Sequence, residues 1–454
     1  MSIDTPRQSP AAGRRPGSWD RAASVPMALG MAAVGLALSF GLKYQCLAHG
    51  WSDNYQYTHL CYNEIQALFG VRGIQAGLLP YRDTAFEYPV VTGMFMDLAG
   101  RVLRGLVRLG IVARNSDSGY FLVSAAMLAP FSLGTTLFLR PRVTAARLAL
   151  WAVGLPTLLY TFHNWDVLAV FGAAWGLAEY EKGRYAAAGS GMAMGASAKL
   201  FPAFLAPGAV LARWAERDSK GAGRLIAGFL AAYALFNVPW IVVASGPPRG
   251  SAGRFPDVML REAGTNGWLD VWLFHADRFP DYWTLWYWLG AHFPGLQDSP
   301  PVGGSFSGFV SLASFALFGL ATVYLLRRGW VRRTEPGGYP VVAVGLGVVV
   351  AFLISSKVYS PQYALWSVPM IAMLNIRYRY VFAYFVAELA VLVSGFLWFT
   401  VFDEPNPGWK QVLEVAVWCR AAVLLVLFWQ AAGALRLLPA GDAGEPAEES
   451  PTIR

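Results

Sequence analysis

The sequence predicts an all-α polytopic membrane protein, on three observations. Hydrophobic residues fill 56% of the 454 positions and charged residues 14%, where ordinary soluble domains are about a quarter charged. The apolar residues gather in runs long enough to cross ~30 Å of hydrocarbon. Thirty arginines against six lysines sit mostly in short clusters between those runs, the pattern of loops on the cytoplasmic side of a bilayer. A soluble enzyme, a disordered chain and a disulfide scaffold are excluded. The net charge of +8 is therefore an orientation signal, and no nucleic acid is expected as a partner.

Residues 1–24 are polar and carry Arg14, Arg15 and Arg21, so they read as a disordered cytoplasmic lead. The first apolar run, 25–42, has no small-residue cleavage site after it and reads as an uncleaved helix. Further runs fall near 119–138, 146–161, 165–180, 185–199, 202–213, 225–245, 304–326, 340–355, 362–376, 379–400 and 411–435. With the first they make about twelve spans in a single transmembrane domain, 25–438. An even count returns the acidic tail 439–454 to the cytoplasm as a disordered end. The basic turns at 140–147, 181–184, 213–224, 327–333 and 377–379 then all lie on the cytoplasmic side.

Two stretches resist this counting. Residues 185–213 must leave and return within a length that allows only two short helices meeting near 199–202, a break tolerated at membrane depth where it lines a cavity. Residues 88–114 start like a span but contain Arg101, Arg104, Arg108 and Arg114. A re-entrant helix, an interfacial helix and a hairpin all fit them.

The same topology gathers the unusual polar residues on the extracytoplasmic face. There lie the first loop, 46–88, with its amphipathic helices, the turn 163–166, the break 199–202, the long segment 244–304, the turn 355–362 and residues 402–410. Two of the six lysines, Lys199 and Lys357, stand on this face beside helix-breaking prolines. An ionised side chain near a bilayer faces a polar cavity and a partner, or snorkels to the interface. Both lysines on one face favour an anionic ligand, for which phosphate is the natural partner.

The first loop carries the acids Asp53, Glu64, Asp83 and Glu87. Any of these could be a general base for a hydroxyl nucleophile or a solvated loop carboxylate. Glu64 stands out because Ile65, Leu68, Phe69 and Val71 give it an apolar helical setting. Cys46 and Cys61 share the loop; a disulfide is favoured over two free thiols on the oxidising side. Cys419, in an apolar helix, reads as core packing. His163, Asn164 and Asp166 position a ligand or cap the helix that follows. In the long segment Arg254, Asp257, Arg261 and Glu262 precede Trp268, Trp272, Trp283, Trp286 and Trp288. Those tryptophans read first as an interfacial belt and second as a surface for stacking sugars. No His, Cys or Asp cluster has metal-ligand spacing, and no cofactor is expected.

The acid-bearing first loop, Glu87-Tyr88-Pro89-Val90-Val91-Thr92-Gly93, His163-Asn164-Trp165-Asp166, Ala198-Lys199-Leu200-Phe201-Pro202 and Ser360-Pro361-Gln362-Tyr363 occur in an order and spacing that resemble the bacterial integral-membrane glycosyltransferases of family 87. That family is known chiefly from actinobacteria and includes polyprenol-phosphate-mannose-dependent mannosyltransferases. The likeness covers residues 25–435. It implies a GT-C fold and transfer of a sugar, mannose favoured and arabinofuranose the alternative, from a polyprenyl-phosphate donor. The acceptor would be a cell-envelope glycolipid or glycan.

In similar proteins the acid after Cys-Tyr is typically an aspartate; here that position holds Glu64, preceded by Asn63. The resemblance thus makes Glu64 the base, with Asp53 the second choice. Lys199, Lys357 and Arg261 would hold the donor phosphate, and Tyr88, His163, Asn164, Asp166, Gln362 and Tyr363 would line the sugar and acceptor. Two lysines could replace a divalent cation at the phosphate, which leaves metal dependence open. The alternatives are a lipid-linked-sugar flippase or other transporter, and a non-catalytic protein of envelope synthesis. A transporter should show internal repeats and midplane polar sites, and neither is visible in the sequence.

Overall fold

A computed structural model of the chain describes residues 21–51, 54–246, 266–293, 305–335, 337–405 and 407–433, and these are helical with no strand among them. The expected disordered ends, Asp53 and Arg261 lie outside the described residues. Helix α1, Val25–His49, starts where the Ser24 hydroxyl caps Met27 N and stops at Gly50. Gly50 adopts a left-handed φ of 76° while its N–H closes on Cys46 O, the usual glycine stop. Two short helices follow, α2 (Tyr55–Thr58) and α3 (Glu64–Val71). Cys46 at the end of α1 is bonded to Cys61 in the loop between them.

Helix α4, Val90–Arg108, settles the ambiguous stretch 88–114, because it is one continuous amphipathic helix and not a hairpin. Phe95, Met96, Ala99 and Leu103 face inward. Near its start Val91 N donates to Ser197 O at 2.7 Å, and near its end Arg104 Nη1 donates to Ile74 O at 2.6 Å. Asn115, just beyond it, reaches Gln75 O. Both ends of α4 therefore meet the same end of the molecule. The following helix, α5 (Asp117–Leu139), starts from that end too, where Gln66 bonds Asp117.

The chain then builds α6 (Ala145–Ala152), α7 (Leu155–Tyr160), α8 (Asp166–Glu181), α9 (Tyr185–Ala196), α10 (Leu205–Ala215) and α11 (Ser219–Ala244). Next come α12 (Gly267–Asp277), α13 (Leu285–Ala291), α14 (Ser305–Arg332), α15 (Val341–Ser355), α16 (Val368–Met373), α17 (Tyr378–Phe399) and α18 (Gly408–Gly433). Among the described residues six helices are long and apolar enough to cross a bilayer: α1, α5, α11, α14, α17 and α18. The remaining apolar runs are shorter or broken. Gly154 and Pro156 divide 146–161 into α6 and α7, and Pro361 and Pro369 divide 362–376 into a 3₁₀ turn and α16. The chain is a multi-pass α-helical membrane protein.

Outward-facing residues fit that environment, since α11 and α14 expose Leu230, Leu235, Phe315 and Leu320. Cys419 belongs with them: it is exposed on α18 rather than packed in the core, because that face of an apolar helix looks outward. Trp283 and Trp288 are buried instead of forming a belt. Trp283 lies against Phe396 and Phe399, and Trp288 against Trp398. The ring area removed from contact outweighs the interfacial preference of the indole, since a buried aromatic contributes a large apolar area.

Candidate active site

Glu64 is placed by its backbone before its side chain does anything. The buried Lys43 Nζ donates to the carbonyls of Leu60 (3.3 Å) and Tyr62 (2.7 Å), on either side of the disulfide-bonded Cys61. Asn63 Oδ1 accepts from Gln66 N at 2.7 Å and so caps α3. Glu64 N donates to His163 O at 2.8 Å, which ties the first residue of α3 to the turn between α7 and α8.

Three neutral donors then converge on the carboxylate. Tyr88 OH donates to Oε2, joined there by Asn164 Nδ2 at 3.4 Å, and Gln362 Nε2 donates to Oε1 at 3.1 Å. Burial pushes the Glu64 pKa above its ordinary value, with Glu87 and Asp166 acting in the same direction. Lys199 and the Tyr88 hydrogen bond oppose that rise. A carboxylate held above its usual range by burial is a stronger proton acceptor than a solvated one. The other described loop acids are engaged differently. Asp83 Oδ2 accepts from Leu79 N at 2.9 Å, and Glu87 pairs with Arg72.

Beside Glu64 lies an ion pair. Helix α9 stops at Ala196, and Pro202 turns the chain into the 3₁₀ segment Phe201–Phe204, which leaves Lys199 at the break. Its Nζ lies 3.1 Å from Asp166 Oδ1, with side chains 13% and 1% exposed. The same ammonium sits over the rings of Tyr88 (4.6 Å) and Tyr363 (5.1 Å). Asp166 Oδ2 accepts from Trp366 Nε1 at 3.0 Å, and its N–H is held by Asn164 Oδ1 at 2.9 Å. Asp166 thus supplies a countercharge to Lys199, and Asn164 serves Glu64 and Asp166 at once. With both acids ionised, Glu64, Asp166 and Lys199 together carry one excess negative charge.

Tyr88, Asn164 and Gln362 thus bond Glu64, and Asp166, Lys199 and Tyr363 form the adjoining charge cluster. His163 enters through its carbonyl. Its ring is buried edge-on to Tyr62 and Tyr160, and burial with Lys43 nearby lowers its pKa well below the ordinary value, so it is neutral. Lys357 is placed one layer away, where its Nζ donates to Ala276 O at 2.5 Å and Ser311 Oγ at 2.8 Å. It ties the segment bearing α12 to α14.

That segment contributes two residues the sequence reading did not select. His275 Nε2 donates to Glu87 O at 2.9 Å; burial lowers its pKa to about 4, with Lys199, Arg278 and Lys357 pushing the same way. Arg278 pairs with Asp281 at 3.4 Å and lies within electrostatic reach of Glu64, Glu87 and Tyr363. No spacing rule marks either residue, because the fold and not the local pattern brings α12 over residues 87–88. Among the described residues no group of three His, Cys, Asp or Glu side chains could hold a metal ion. Comparison of the chain with models of known protein families finds no match, and comparison with curated proteins finds no relative.

Proposed function

We propose that this chain is a polyprenyl-phosphate-dependent glycosyltransferase of the family 87 type, working on the extracytoplasmic face of a bacterial membrane. The observation that carries the reading is the Glu64 carboxylate, held by Tyr88, Asn164 and Gln362 beside the Lys199–Asp166 pair. Glu64 takes the proton of an acceptor hydroxyl as that oxygen attacks the anomeric carbon opposite the phosphate. The bond from that carbon to the phosphate oxygen breaks, its electron pair leaves on the polyprenyl phosphate, and configuration inverts. Lys199 supplies the positive charge for the departing phosphate, while Lys357, held by Ala276 O and Ser311, and Arg278, paired with Asp281, add their field from further off. Positive charge aimed where negative charge develops is the larger part of such catalysis.

An apolar cleft of about 590 Å³ between α10 and α11 supports a lipid donor. It begins at Ala203, near Lys199, and is lined by Pro207, Val210, Trp214, Ile226 and Leu230. A prenyl chain would lie there with its phosphate at the helix break. In this reading the short and broken helices count as crossings in a GT-C-like bundle of about twelve, with both termini in the cytoplasm. Mannose is the favoured sugar and a cell-envelope glycolipid or glycan the acceptor.

The test is transfer by the purified protein in nanodiscs, with labelled polyprenyl-phosphate mannose and a panel of acceptors. The wild type forms product, and Glu64→Gln lowers kcat by about 10²–10⁴-fold, the usual worth of a positioned base, with donor binding kept. Full activity in Glu64→Gln overturns the base. Donor translocation without product identifies a transporter instead.

A further inference from the structure

A second buried charge cluster lies away from Glu64. Arg420 on α18 pairs with Glu388 on α17 at 3.3 Å, with side chains 2% and 1% exposed. Tyr359 OH donates to the other Glu388 oxygen at 2.5 Å. The Arg420 guanidinium sits 3.8 Å over the Tyr359 ring, and its Nη2 donates to Trp283 O. The cavity beside it, bordered by Trp283, Tyr359 and Arg420, holds about 10 Å³, room for no more than a water. A buried ion pair seldom adds stability over an apolar replacement of the same shape. Its use lies in what it holds.

It holds one end of a column of rings. Tyr359 stacks on Tyr363 with centroids 6.1 Å apart and planes at 17°. Tyr363 stacks on Trp366 at 4.0 Å and 21°, and Trp366 on Phe201 at 4.7 Å and 12°. The far end of the column belongs to the site, where Trp366 Nε1 bonds Asp166 and Lys199 sits over Tyr363. Gln362 lies on the same 3₁₀ turn, Pro361–Trp366, between the first two rings in sequence. Ser367 closes the turn by donating to Ala364 O, and its hydroxyl is bonded to Tyr384 OH at 3.1 Å. Two ion pairs on different helices are thus joined by one stack, with the donor to Glu64 mounted in the middle.

We infer that the Arg420–Glu388 pair is a positioning device: by clamping Tyr359 it sets the ring column, and through it the register at which Gln362 meets the Glu64 carboxylate. The inference deepens the proposed function, which supplies the reason for positioning Glu64, but it can be tested without any transfer reaction. Arg420 and Glu388 touch no reacting atom in this reading, so both are positioning residues.

The experiment reads the protonation of Glu64 directly. Dicyclohexylcarbodiimide modifies protonated carboxyl groups in apolar surroundings, so peptide mass spectrometry of the full-length protein across pH gives a labelling midpoint for Glu64. The double variant Glu388→Met/Arg420→Met removes the clamp without leaving a buried charge unpaired. It should raise the midpoint by about one pH unit, as expected when a carboxylate loses one donor. Tyr359→Leu, which leaves Arg420 paired with Glu388, should do the same should the double variant fail to fold. Gln362→Ala should raise the midpoint equally, and adding it to either variant should move it no further, since all act through one bond. In the transfer assay the same variants should lower kcat about tenfold with KM unchanged. A wild-type midpoint in the clamp variants, alongside a shifted one in Gln362→Ala, overturns the inference and leaves the proposed function standing. Shifted midpoints in the clamp variants, alongside a wild type that transfers no sugar, leave the inference standing and overturn the proposed function.

Discussion

The two ends of the helix bundle treat charge in opposite ways. At one end arginines are consumed by main-chain carbonyls near helix ends: Arg140 on Ala23 O at 3.1 Å, Arg142 on Ala178 O at 2.9 Å and Arg147 on Ile376 O at 2.5 Å. Ala178 O is one of the unpaired carbonyls in the last turn of α8, while Ala23 O and Ile376 O lie in the segments leading into α1 and α17, and each contact joins segments far apart in the chain. At the other end a carboxylate is met by side chains from three separate segments, with a lysine and a second acid alongside. In the first arrangement the cations are held by backbone carbonyls, with Glu181 also pairing Arg142. The second concentrates groups that can exchange a proton or face an anion, so the ends differ in chemistry more than in charge content.

The contrast can be broken most sharply at Lys199. Lys199→Met leaves Asp166 buried beside Glu64 without its counterion, and transfer should fall by about 10²-fold. Because removing one partner of a buried pair typically destabilises by about 3–5 kcal/mol, thermal unfolding should report the loss as well. Lys199→Met/Asp166→Asn should recover the stability but not the turnover. Retained turnover in either variant would remove Lys199 from the reaction.

Tyr88→Phe is the next test. It deletes one donor to the Glu64 carboxylate, so about tenfold should be lost in kcat. In the proposed function Glu64 acts in its ionised form, and its pKa lies above the ordinary value. Activity should therefore rise as pH rises through that pKa, and losing the Tyr88 donor should carry this limb to higher pH. A pH–rate profile with an unmoved acid limb would contradict the assignment.

Cys46→Ser opens the loop that bears Glu64. A crosslink spanning 15 residues is worth about 3 kcal/mol, measurable by thermal unfolding. Lys43 still grips Leu60 O and Tyr62 O, so activity should drop only a few-fold. At the arginine end, Arg147→Met should cost about 1–3 kcal/mol through the orphaned Ile376 carbonyl. Turnover per folded molecule should not change there. Equal losses of turnover at both ends would erase the distinction drawn between them.

Much of the candidate site was legible because its polar residues interrupt apolar runs at helix ends. Lys199 beside Pro202, Gln362 beside Pro361 and the His163–Asp166 turn each break a periodic pattern, and one topology brings all three breaks to the same face. The Cys46–Cys61 pairing was legible because the two lie only 15 residues apart, although the structure places Cys46 in the last turn of α1 and not in the loop. The residues missed obey no local rule. Glu388 and Arg420 sit inside long apolar helices, where a single charge looks like noise until the partner helix supplies its counterion. Lys43 closes an otherwise apolar run, and only the fold turns it toward the carbonyls of Leu60 and Tyr62. His275 and Arg278 lie in a tryptophan-rich stretch whose composition points to an interface, whereas two of its rings, Trp283 and Trp288, anchor the protein interior. The count of crossing segments was hardest to read, because prolines and glycines cut several runs into pieces shorter than a span.

The donors to Glu64 are spaced along the chain in a way that bears on biosynthesis. Tyr88 follows it by 24 residues, Asn164 by 100 and Gln362 by 298. A membrane protein is delivered to the bilayer from its N-terminus onward, so the carboxylate is in place long before the last group that orients it. A nascent chain halted between residues 199 and 362 holds the acid and the lysine but an unfinished site. Competence arrives late in synthesis, close to the moment when the final helices dock.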